Sequence, residues 1–77
     1  MMRGEIWDRP NGQYLAYVSD KDELISTKTG ITIGFHKDGT LYGTDNKVIG
    51  VLTPISSSQT SVEGQGLQSL RKLAGWT

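Results

Sequence analysis

Cysteine is absent from the 77 residues, which excludes disulfides, thiol nucleophiles and thiolate-bound metals. Histidine occurs once, at His36, too few imidazoles for a transition-metal site within one chain. A surplus of charge is missing as well, because eight basic and eight acidic side chains cancel. Nucleic acid, an anionic membrane or a polyacidic partner would each call for a basic excess, so none is expected. No apolar run approaches the roughly 18 residues of a membrane span, and no signal-peptide pattern follows Met1. The expected location is cytoplasmic.

Catalytic fingerprints are equally scarce. The nucleophile elbow Gly-x-Ser-x-Gly, the Walker lysine loop and the dinucleotide glycine pattern do not occur. Ser26 and Ser56 to Ser58 have no visible base partner. Asp20, Asp22 and Glu23 cluster, but they alternate with Lys21 in a turn, as a solvated loop does. No enzyme, metal site or cofactor is therefore expected.

What the chain does have is repetition. Ile6-Trp7-Asp8 leads through a turn at Gly12 to Leu15-Ala16-Tyr17-Val18. Leu24-Ile25-Ser26 leads through Gly30 to Ile33-Gly34-Phe35-His36. Leu41-Tyr42-Gly43 leads through Asp45-Asn46-Lys47 to Ile49-Gly50-Val51-Leu52. Each unit carries short β-branched or aromatic runs broken by turn residues, the composition of a β-hairpin. Arg9-Pro10-Asn11-Gly12 is a strong turn signal, and Asp38-Gly39 is a favoured hairpin dipeptide between units. The fold class expected is mainly β, three repeated hairpins around a pseudo-symmetry axis followed by a short C-terminal helix.

Strict two-residue alternation puts Leu15 with Tyr17, Ile33 with Phe35, and Ile49 with Val51 on one apolar face, read as the core. The opposite face then carries Ala16, Gly34 and Gly50. Small residues at one repeated position suggest close backbone approach; the alternative is that the glycines mark bulges.

These residues resemble the four-fold beta flower family. The likeness rests on Ile6-Trp7-Asp8-Arg9, Gly12 and Leu15-Ala16-Tyr17-Val18, together with Leu41-Tyr42-Gly43, Asn46-Lys47 and Ile49-Gly50-Val51. It covers about residues 4 to 54. It implies hairpin petals around a pseudo-four-fold axis and brings no activity or catalytic residues with it. Three units are clear here, and the fourth petal is missing or much altered.

Three segments follow from composition: a β-hairpin repeat domain over 1–54, a polar Ser/Gly-rich linker over 55–66 and a helical tail over 67–77. Leu67, Leu70, Leu73 and Ala74 recur at helical spacing, predicting a helix from Leu67 to Ala74. Arg71 and Lys72 suit its C-terminus, and Gly75 suits the position beyond. Thr60 with Glu63 offers a capping box. Area-based burial in so small a β domain roughly balances its ordering cost, and an open three-petal sheet would leave strand edges unpaired. Either the tail covers its own sheet, or a homo-oligomer forms with Leu67, Leu70, Leu73 and Trp76 at the interface.

The functional expectation is a non-enzymatic β-repeat binding or interaction module that self-associates. One alternative is a protein sequestering a small nucleotide-type or other anionic ligand at a subunit interface. Its ligand-binding candidates are Trp7, Arg9, Tyr17, Tyr42 and Lys47, since aromatic planes and basic turns suit stacking and anion contact. The same aromatics could equally be core. A third reading is a structural subunit of a larger assembly; a specific protein partner belongs to the first.

Overall fold

The computed structural model describes residues 4–56 and 59–76. Ser57 and Ser58 of the expected linker, and Thr77 at the end of the tail, lie outside the described residues. Seven strands run in chain order: β1 (Gly4–Asp8), β2 (Gln13–Val18), β3 (Glu23–Ser26), β4 (Thr32–Lys37), β5 (Thr40–Gly43), β6 (Val48–Pro54) and β7 (Gln59–Val62). Helix α1 (Gln65–Leu73) ends the chain. Each strand pairs antiparallel with the next, and β7 returns to pair parallel with β1 through Glu5–Gln59 and Ile6–Thr60, closing a barrel. The expected linker therefore supplies a strand. Thr60 donates its hydroxyl to the Glu5 carbonyl and Ser61 donates to that of Trp7, pinning the seam. The barrel leaves none of the open edges that a three-petal sheet would have.

The three repeats are three copies of one bulged hairpin. Between β1 and β2, Ile6 pairs with Ala16 and the next residue, Trp7, pairs with Tyr14, so Leu15 has no partner. Leu24 and Ile25 pair with Gly34 and Thr32, leaving out Ile33. Leu41 and Tyr42 pair with Gly50 and Val48, leaving out Ile49. Ala16, Gly34 and Gly50 thus occupy equivalent places.

The extra residue changes which side chains face inward, because a bulge interrupts the two-residue alternation. Leu15 and Ala16 are both buried, as are Ile33 and Gly34. Alternation then resumes in the opposite phase. Phe35 and Val51, expected in the core beside Leu15 and Ile33, lie on the outside, and Tyr17 is only partly covered. The interior is built instead from Ile6, Leu15, Val18, Leu24, Leu41 and Val62. Close approach occurs at the same positions as the bulges. A Cβ on Gly34 would fall 2.1 Å from the Tyr42 carbonyl oxygen, and one on Gly50 2.5 Å from a Val62 methyl.

Turn chemistry follows the sequence. Asp38 and Gly39 both adopt positive φ, 52° and 83°, giving the two-residue hairpin loop between β4 and β5 that matches strand twist. Gly12, Gly30 and Asn46 supply positive φ in the three repeat turns.

Helix α1 begins two residues earlier than its Leu spacing predicts. Gly64 occupies the N-cap with φ 64° and no side-chain cap, so the Thr60–Glu63 capping box does not form; Thr60 is committed to β7. The C-terminus closes as a Schellman motif, with Trp76 N–H donating to the Arg71 carbonyl and Gly75 N–H to that of Lys72. Leu70 and Ala74 are fully buried in the barrel's core, with Leu67 and Trp76 packed against it. This corrects the interface role expected for Leu70, whose side chain is used up within its own chain. Of the four residues assigned to an oligomer contact, Leu73 is the one left largely exposed, at 48%.

Candidate functional site

The helix is fastened over the end of the barrel where the three repeat turns lie. Asp8 and Ser26 stand at the same position in the first two hairpins, at the end of the leading strand, and both are buried. Asp8 accepts from the Asn11 backbone N–H (3.3 Å) and the Asn11 side-chain amide (2.8 Å), organising its turn. Arg71 Nη1 then reaches Asp8 Oδ2 and the Gln13 side-chain oxygen, while Nη2 donates to the Trp76 carbonyl. Burial by itself pushes the Asp8 carboxyl up, but hydrogen bonds from Asn11 and Arg71, with the Arg71 charge, hold it below the ordinary aspartate value. Ser26 Oγ accepts from the Lys28 and Thr29 N–H groups and donates to the Ala74 carbonyl at 2.8 Å.

The five candidates for ligand binding do not converge. Trp7 stacks on Tyr14, with centroids 5.2 Å apart and planes at 11°, and its indole N–H donates to Glu5. Burial, reinforced by the charge on Glu5, pushes the Tyr14 hydroxyl up. Trp7 and Arg9 share a shallow hollow of about 230 Å³ with Ile55 and Gln59. Tyr17 lies on β2, paired with Glu5 and Ile25. Tyr42 is on β5, three strands from β1 by the shorter way round, through β6 and β7. Lys47 borders a separate hollow between the third turn and α1. A single site using all five is not formed within one chain.

What the barrel does present is an apolar outer patch across β4, β5 and β6. Phe35 pairs with Tyr42, and Tyr42 with Val48, in one row that continues to Glu23 on β3. Lys37, Thr40 and Val51 form the row beside it. Phe35, Val48 and Val51 are 42%, 63% and 61% exposed. Sequence alternation missed this surface by counting Phe35 and Val51 as core. The signal that could have revealed it is the doublet of a large aliphatic followed by Ala or Gly, repeated three times, which is how an inward-facing bulge pair looks.

His36, near the end of β4, is half-buried. Its Nδ1 lies 3.1 Å from Asp22 Oδ1, and its Nε2 accepts from the Gly39 N–H at 3.0 Å. Among the described residues, no group of three or more His, Asp or Glu is placed to hold a metal ion, and no helix is long and apolar enough to cross a membrane. No protein-family model, no curated protein and no solved structure matches the chain.

Proposed function

We propose that this protein is a non-enzymatic interaction module that associates with a second copy of itself through the outer face of β4, β5 and β6. The observation that carries this reading is the grouping of Phe35, Val48 and Val51 on two adjacent rows of one face. Exposed large apolar side chains scattered singly need no explanation, whereas a contiguous patch with a polar rim marks a contact surface.

The pattern suits self-pairing. An isologous contact brings one patch against itself under a two-fold rotation. With the axis lying between the copies and running across the strands, the two rows exchange places. Val48 of each copy then lies over Val51 of the other, and the Glu23 carboxylate comes within reach of the Lys37 ammonium. The zero formal net charge removes long-range repulsion between copies. A kinship with beta flower proteins would rest on the same three bulged hairpins.

Sedimentation velocity across the micromolar range tests the proposal. The wild type should run as a dimer that dissociates on dilution, with a melting temperature that rises with concentration. Val51→Lys should run as a monomer with a concentration-independent melt, since the site is exposed and the strand tolerates lysine. A wild type that stays monomeric throughout would overturn the reading.

A further inference from the structure

The equivalence of the three hairpins fails where they meet α1, and a hollow lies at that point. Asp8 and Ser26 tie the first and second hairpins to α1. The equivalent residue of the third hairpin is Gly43, which has nothing to offer the helix. Its vacancy is filled from within the turn, since Asp45 Oδ1 accepts from the Lys47 N–H at 3.1 Å and lies 2.9 Å from where a Gly43 Cβ would stand. Helix α1 meets β6 at its start, where Gly66 approaches Gly50. Further along, between the helix and the third turn, a hollow of about 450 Å³ remains.

Two lysines border it, Lys47 from the turn and Lys72 from the helix. Neither side-chain ammonium has a hydrogen-bond or ion-pair partner among the described residues. Val48, Ile49 and Leu73 make up its apolar wall, with Val48 and Leu73 well exposed. Asp45 also borders the hollow, but its carboxylate is engaged by its own turn, and the two lysines leave a net positive charge. A concave site of this size, apolar with a few convergent charges, is the usual form of a small-molecule pocket.

We infer that this hollow binds a small amphiphilic anion, its head between Lys47 and Lys72 and its hydrocarbon body against Val48, Ile49 and Leu73. The hollow adjoins the self-association face proposed above at Val48, so its test is run on the Val51→Lys protein as well as on the wild type.

Decanoate below its micellar concentration is the probe, followed by calorimetry and by amide chemical shifts, on both the wild type and the Val51→Lys protein. Decanoate should shift the amides of Lys47, Ser69 and Lys72 in both proteins, whether or not either dimerises. Acetate, lacking the body, and decanol, lacking the charge, should each bind at least roughly tenfold more weakly. Lys47→Gln with Lys72→Gln should weaken decanoate by roughly tenfold or more while leaving the melting temperature unchanged, because both side chains are exposed. Absence of shifts at these amides overturns the inference, and so does undiminished binding to the double variant.

Discussion

Arg71 Nη1 lies 2.6 Å from Asp8 Oδ2, joining the last helix to the first hairpin across 63 residues of chain. Asp8 is 1% exposed, so its carboxylate is left without water and depends on Arg71 and Asn11 for its partners. One ion pair thus organises the first turn and fastens the helix that seals the barrel.

Removing one member of a buried pair strands the other. Arg71→Ala should therefore destabilise the fold by about 3 kcal/mol, read as a lowered denaturant midpoint with an unchanged slope. Arg71→Lys should recover little of it, since a single ammonium cannot serve Asp8, Gln13 and the Trp76 carbonyl together. A midpoint within experimental error of wild type for Arg71→Ala would show the pair to be incidental.

The same pair sets a pH dependence. The folded-state pKa of Asp8 is depressed, so its contribution is fully present above the unfolded aspartate pKa. It is lost as pH falls through the folded value. Stability measured from neutral to acid pH should decline on that limb, and Asp8→Asn should flatten the decline. An acid limb identical in the two proteins would assign the loss to other carboxylates.

The hairpin repeats, the Asp38-Gly39 turn and the C-terminal Gly75 were legible in the sequence because each is governed by local chemistry. The facing of β2, β4 and β6 was not. Alternation cannot locate a bulge, and one extra residue at Leu15, Ile33 or Ile49 sends Phe35 and Val51 outward. Strand β7 was hidden for another reason. Thr60 and Ser61 carry polar side chains suited equally to a linker, and they become a strand because β1 and β6 offer unpaired backbone on either side. After three hairpins, the barrel is closed by this single strand. Lys72, assigned only to the helix terminus, gained a neighbour in Lys47 that no spacing along the chain could reveal.

The glycine requirement differs between repeats. A methyl on Gly34 meets the Tyr42 carbonyl, which is backbone held in the β4–β5 ladder and cannot yield. Gly34→Ala should cost about 3 kcal/mol or more, or prevent folding. Ala16→Gly, at the matching position, should cost only about 1 kcal/mol through lost burial and added chain freedom. Equal costs measured by chemical denaturation would mean the two positions are not distinguished by the Tyr42 contact.

Leucines on α1 should separate by burial. Leu70 is enclosed in the core, so Leu70→Ala should destabilise by about 3 kcal/mol. Leu73→Ser should change stability by no more than about 0.5 kcal/mol, as an exposed site does. A large thermal shift from Leu73→Ser in a dilute monomeric sample would place that side chain in contact with the barrel.

The His36 ring has one tautomer that satisfies both of its neighbours. The Gly39 backbone N–H can only donate, so Nε2, 3.0 Å away, must carry a bare lone pair. The neutral ring therefore holds its proton on Nδ1, facing the Asp22 carboxylate oxygen at 3.1 Å. Long-range proton–nitrogen correlation on the neutral ring should show a protonated Nδ1 and an unprotonated Nε2, together with slow exchange of the Gly39 amide. His36→Ala should speed that exchange by removing its acceptor, loosening the turn that carries Gly39. Detection of the Nε2–H tautomer as the main species would contradict the arrangement, because two N–H groups would then point at each other across the loop.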